Sequence, residues 1–192
     1  MALHPFFAGE HPTVCRDSHG RYRADLPRPK ALLPGSFHPL HNGHLLLARV
    51  AALHLGSPVD FELSIQNVDK PNLTIEDVER RTVNFPEETS LWLTWAATFE
   101  QKAALFPGCT FVVGYDTAVR MLDLKYYAGE SELRDRAFCT LIERGCRVLV
   151  GGRIDGAGTF RVWEGNETLF TALTEAEFRL DISSTALRQK CS

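Results

Sequence analysis

The chain has 192 residues, 44% apolar and 23% charged, the proportions of a soluble globular protein able to bury a core. Its 21 basic and 24 acidic residues leave a net charge of −3, which excludes a basic surface built to coat nucleic acid but leaves room for a small anion held by a few local cations. No run of about 18 apolar residues could span a membrane, and no charged segment followed by an apolar one opens the chain. The expected location is cytoplasmic, without a membrane partner. Five cysteines (Cys15, Cys109, Cys139, Cys146, Cys191) form an odd set with no C-x-x-C pair, which argues against a disulfide framework and a zinc ribbon. Cys139 and Cys146 are expected to be small core residues. All seven histidines lie between His4 and His54.

Residues 1–29 carry Pro5, Pro12, Pro27 and Pro29 and no sustained apolar period, so they read as an irregular extension over a domain spanning 30–192. Ala31-Leu32-Leu33 is a short apolar strand. A loop from Pro34 to Asn42 leads into a helix that Gly56 stops. Val59–Ile65 alternates apolar and polar residues, a strand with one less buried face. Thr74 with Asp77, and Thr98 with Gln101, match N-terminal capping boxes for two helices. Between those helices Leu91–Thr94 is a short strand. Cys109–Gly114 is the clearest strand, running into Tyr115-Asp116 and a helix. A further helix over Ser131–Arg144 precedes a strand over Arg147–Val150. The segment 153–178 shows mixed short patterns and a hairpin around Phe160–Trp163, and a capped helix over Asp181–Arg188 ends the chain. Strands alternating with helices predict one α/β domain with a parallel sheet covered on both faces and ligands at the strands' carboxyl ends.

The stretch Leu33-Pro34-Gly35-Ser36-Phe37-His38-Pro39-Leu40-His41-Asn42-Gly43-His44 lies on a strand-to-helix turn, where backbone N–H groups and the helix dipole favour an anion. His41 and His44, three apart at the helix start, can direct their rings to one side. Gly35 and Gly43 allow close backbone approach. The spacing of His38, His41 and His44 also suits a metal, but a zinc site would want an acidic or cysteine ligand in the loop and none is there, so no metal ligand is assigned.

Gly35-Ser36-Phe37 followed by His41-Asn42-Gly43-His44 resembles the signature of the nucleotidylyltransferase superfamily, and Ile182-Ser183-Ser184-Thr185-Ala186-Leu187-Arg188 resembles the I-S-S-T-x-(I/L)-R element of its nicotinate and nicotinamide mononucleotide adenylyltransferases. The resemblance covers roughly residues 30–190 and implies a Rossmann-like, doubly wound parallel sheet with helices on both faces. It implies transfer of a nucleotidyl group, adenylyl by preference, from a nucleoside triphosphate to a small phosphate-bearing acceptor such as nicotinate or nicotinamide mononucleotide, with release of pyrophosphate. His41, His44 and Arg188 would be catalytic. Gly35, Ser36, Phe37, Gly43, Asp116, Ser183, Ser184 and Thr185 would bind the nucleotide, and Mg²⁺ would arrive with ATP. Lys70, His38 and Trp92 are candidates for the acceptor; Trp92 and Trp95 either stack on a nicotinamide-like ring or pack in the core, and His38 stands where the superfamily commonly has Asp or Asn. Arg153 is a further candidate near the triphosphate. A noncatalytic nucleotide sensor, a cytidylyltransferase and a pantetheine-phosphate adenylyltransferase remain as alternatives, and the sequence leaves homo-oligomerisation open.

Overall fold

The computed structural model describes residues 3–69, 71–155, 157–165 and 168–178. The chain opens with α1 (Leu3–Phe7), β1 (Thr13–Arg16) and β2 (Tyr22–Arg23), followed by β3 (Ala31–Pro34), α2 (Asn42–Leu55), β4 (Asp60–Ser64), α3 (Ile75–Thr82) and β5 (Leu91–Thr94). It continues with α4 (Phe99–Leu105), β6 (Thr110–Gly114), α5 (Tyr115–Leu122), a 3-10 turn (Leu124–Tyr127), α6 (Ser131–Glu143) and β7 (Arg147–Gly151). The strands β8 (Arg153–Ile154), β9 (Phe160–Arg161) and β10 (Phe170–Ala172) follow.

Eight strands form one mixed sheet in the order β10-β7-β6-β3-β4-β5-β1-β2, while β8 and β9 pair as a separate antiparallel hairpin. From β10 to β5 every neighbour is parallel; β1 and β2 join antiparallel at the far side. Starting from β3, the chain steps one way through β4 and β5, then returns to β6 and steps the other way through β7 and β10. This order, with flanking helices, is consistent with a Rossmann-like fold. The β3–β6 ladder stops after Leu32–Phe111, whereas β6 and β7 stay paired through Gly114–Gly151. The carboxyl ends of β3 and β6 thus lie at the topological switch point, where sheets of this kind form a crevice between the loops that follow the strands.

Alternate strand residues feed two apolar clusters, as the two-residue strand period requires. Leu33, Phe61, Leu63, Val112 and Leu149 pack with Leu47, Ala48 and Ala51 of α2. Leu32, Phe111, Val113, Val148 and Val150 pack with residues of α4, α5 and α6. Both capping boxes form: the Thr74 hydroxyl accepts from Asp77 N at 3.2 Å, and that of Thr98 from Gln101 N at 3.3 Å, each worth about 1 kcal/mol of helix stability. Among the described residues, no helix is long and apolar enough to cross a membrane.

Three expectations change. Of the expected extension 1–29, the described residues 3–29 are not irregular, because β1 pairs with β5 along its length and Leu3, Phe6, Val14 and Cys15 are buried in the core. Glu62, on the supposedly less buried side of β4, is fully covered by α4, and Lys102 of that helix neutralises it at 2.9 Å. A buried carboxylate needs such a partner. Cys139 is exposed on α6, while Cys146 is buried as expected.

Candidate active site

The turn between β3 and α2 is held from several directions. Phe37 adopts φ 43°, an uncommon conformation for a residue with a side chain, at a cost of roughly 1–3 kcal/mol. Full burial of its ring, in edge contacts with Phe61 and Phe85 at 5.5 and 5.2 Å, offsets that cost. The ring lies so close to Gly35 that a Cβ there would come within 2.6 Å of it, so the G-x-F spacing is steric in origin. The His38–Pro39 peptide is cis, and Ser36 and His38 are exposed on the outer side of the turn.

His41 caps α2. Its Nδ1 accepts from Gly43 N at 3.1 Å, and the Nδ1 of His44 accepts from His41 N at 3.3 Å, a capping box built from two imidazoles. Several backbone donors expected to meet an anion directly are thus occupied: Gly43 N–H and His41 N–H by the imidazoles, and His44 N–H by His41 O at 2.9 Å. An imidazole that accepts at Nδ1 carries its proton on Nε2, so the helix start presents ring N–H donors in place of backbone ones. The rings stack with centroids 3.7 Å apart, and Phe37 braces His44 edge-on at 5.2 Å. Burial, and next the nearby His41, lower the His44 pKa from 6.5 to about 4, so His44 is a neutral donor at pH 7.

From the β4 side, Arg81 in the last turn of α3 donates through Nη1 to Ser36 O at 2.8 Å. Its Nε is buried and has no hydrogen-bond partner among the described residues. Burial lowers the Arg81 pKa and Asp77 partly offsets this. The loop after β4 carries Asp69, whose carboxylate accepts from the Tyr126 hydroxyl at 3.1 Å. That bond joins the β4 loop to the turn that follows α5.

On the other side, Asp116 lies in the first turn of α5, directly after β6; Gly114 is the cap, so Asp116 is not spent on capping. Arg153, just after β7, pairs with Asp116 through Nη1. Both side chains are substantially exposed, so the pair contributes at most about 1 kcal/mol and can open. Gly152 precedes it because a Cβ there would lie 2.4 Å from the Phe160 ring and 2.6 Å from Arg161 O, and this close approach seats the β8–β9 hairpin on β7.

The structure thus gathers Gly35, Ser36, Phe37, His38, His41, Gly43 and His44 in one turn, and Asp116 with Arg153 on the β6–β7 side. Trp92 is a correction. Its ring is only 1% exposed, its Nε1 donates to Asp60 Oδ2 at 2.9 Å, and it packs on Phe106, which leaves no face for an acceptor. Trp95 likewise packs on Phe6 and Phe7. Lys70, Ser183, Ser184, Thr185, Arg188 and the expected final helix lie outside the described residues. The sequence pattern did not single out Arg81 or Tyr126, because each acts through a contact more than forty residues away. His54, near the end of α2, pairs with Glu177 at 2.8 Å. Among the described residues, no group of three or more His, Cys, Asp or Glu side chains is arranged to hold a metal ion. No family model matches the chain, and no curated protein matches it.

Proposed function

We propose that the protein is a nucleotidylyltransferase that moves a nucleotidyl group, adenylyl by preference, from a nucleoside triphosphate to a small phosphate-bearing acceptor, with nicotinate or nicotinamide mononucleotide the leading candidate. We also take the sheet to be the doubly wound Rossmann-like arrangement and the cytosol to be the site of action. The observation that carries the proposal is the stacked His41–His44 pair, whose Nδ1 atoms are held by backbone N–H groups at the start of α2, beside the crevice between β3 and β6. Two ring N–H donors fixed at a helix N-terminus on the carboxyl side of a parallel sheet suit phosphate oxygens.

In this scheme an acceptor phosphate oxygen attacks the α-phosphorus in line with the departing pyrophosphate, and no covalent enzyme intermediate forms. His41 and His44 donate to the oxygens on which charge grows, and their fixed orientation avoids reorganisation during the reaction. His44 donates as a neutral group, which leaves no proton to be lost near neutral pH. In this reading Asp116 meets the nucleotide once Arg153 releases it. By resemblance, Ser183, Ser184, Thr185 and Arg188 hold the β- and γ-phosphates, and Lys70 meets the acceptor. Mg²⁺ takes oxygen ligands rather than imidazole or guanidinium nitrogens, so it is expected to come bound to the triphosphate, where it neutralises phosphate charge.

The test is to incubate the protein with ATP, Mg²⁺ and a panel of phosphate-bearing acceptors while recording pyrophosphate. Release that depends on one acceptor and is lost in His44→Ala supports the proposal. ATP binding by calorimetry with no release for any acceptor would favour a noncatalytic sensor.

A further inference from the structure

We propose that Arg81 is a positioning residue of the phosphate site, fixing the Gly35–Phe37 turn from outside and, through Phe37, the His44 imidazole. The ligand it serves rests on the nucleotidylyltransferase reading, whereas its action on the turn rests on geometry alone.

The last turn of α3 carries two successive arginines with different surroundings. Arg80 pairs with Asp77 one turn earlier, as exposed helix residues three apart commonly do. Arg81 instead reaches the β3–α2 turn, where its Nη1 donates to Ser36 O at 2.8 Å. Its Nε is shut off from solvent without a partner among the described residues. A surface arginine ordinarily keeps its donors hydrated, so packing against the turn sets this side chain's position.

The carbonyl it holds belongs to the peptide joining Ser36 to Phe37. Fixing that peptide plane restrains the ψ of Ser36 and the φ of Phe37, which sits at 43°. The Phe37 ring then meets His44 edge-on at 5.2 Å. A second contact from the same part of the chain acts on the opposite side of the turn. Phe85, whose N–H donates to Thr82 O at 3.1 Å just beyond α3, packs its ring on Phe37 at 5.2 Å and 88°. The end of α3 therefore grips the turn twice, by a charged hydrogen bond at the Ser36 carbonyl and by a buried ring on Phe37. The chain leading into α3 carries Asp69, bound to Tyr126, and the acceptor candidate Lys70 is the next residue in the sequence. The segment assigned to the acceptor and the clamp on the nucleotide turn belong to one continuous stretch of chain.

The experiment compares wild type with Arg81→Ala, Arg81→Lys and Arg81→Gln. Mg·ATP affinity is measured by calorimetry, KM for ATP and for acceptor by pyrophosphate release, and the His44 ring by nitrogen-15 NMR without ligand. Arg81→Ala is expected to bind ATP about tenfold more weakly, the size of one charge-assisted hydrogen bond, with acceptor KM unchanged and His44 resonances moved. Arg81→Lys, which can still donate to Ser36 O, should restore much of the His44 pattern. If the alanine variant does not fold, Arg81→Gln is measured in its place with the same expectations. A folded variant with wild-type ATP affinity and unmoved His44 resonances overturns the proposal, as does a defect confined to acceptor KM. If wild type itself binds no ATP, the nucleotidylyltransferase proposal falls, and the His44 resonances alone decide whether Arg81 positions the turn.

Discussion

On the β3 side of the crevice the functional candidates are imidazoles locked to backbone N–H groups and stacked on each other, with His44 neutral and braced by a buried phenylalanine. On the β6 side they are the exposed opposite charges of Asp116 and Arg153, paired with each other, with Arg153 also donating through Nε to Ile154 O at 3.5 Å. The first arrangement cannot shift without disturbing the core beneath it; the second can open at little cost. Rigidly held ring donors fit a phosphate whose charge changes during reaction, and an exchangeable ion pair fits a contact made only when a ligand arrives.

Breaking the rigid side should have the largest effects. Phe37→Ala removes a fully buried ring that touches Phe61, Phe85 and His44, and should destabilise the fold by about 3–5 kcal/mol in urea unfolding while abolishing ATP binding. Gly35→Ala drives a methyl to 2.6 Å from the same ring and should cost about 1–3 kcal/mol, again with loss of nucleotide affinity.

A smaller effect on the rigid side is read through pH. The folded-state pKa of His44 lies below its ordinary 6.5, at about 4, so its contribution to stability is complete above 6.5 and disappears as pH falls toward 4. Glu177, lowered from 4.5 to about 2 by hydrogen bonds from Thr174 and His54, keeps its contribution down to pH 4.5 and loses it only below. Unfolding free energy should therefore decline between pH 6.5 and 4.5 in wild type and be flatter in His44→Gln. A His44 ring titrating by NMR near 6.5 would contradict the burial on which this rests. Smallest in stability is Asp116→Asn on the exchangeable side. It should move the unfolding midpoint by less than about 0.5 kcal/mol while lowering turnover, so that stability and activity part company there.

Strands β3, β6 and β7 were legible because their apolar runs are short and bounded by Gly and Pro, β4 by its alternation, and α3 and α4 because Thr74–Asp77 and Thr98–Gln101 announce their own caps, whereas β10 was hidden in the mixed pattern of 153–178. Strand β1 was not, since Thr-Val-Cys-Arg has no distinctive period and is defined by its pairing with β5. In the site, the histidine spacing predicted that both rings would gather at the helix start. It did not reveal that their Nδ1 atoms would cap the helix, because Ser, Thr and Asp are the expected caps. For Trp92 both stacking on an acceptor and packing stayed open, because a four-residue strand does not disclose that every position in it is covered. Arg81 and Tyr126 could not be found from local pattern, since their partners Ser36 and Asp69 are near only after the sheet has formed.

The most direct measurement is the rate of pyrophosphate release from Mg·ATP with nicotinate or nicotinamide mononucleotide as acceptor, in wild type and in His44→Ala proteins shown to be folded. Acceptor-dependent release that falls at least about a hundredfold in the variant, the scale of one lost oxyanion donor, is the expected result. Equal rates in the two proteins would mean that the imidazole pair does not hold the reacting phosphate, and absence of release with every acceptor would contradict nucleotidyl transfer itself.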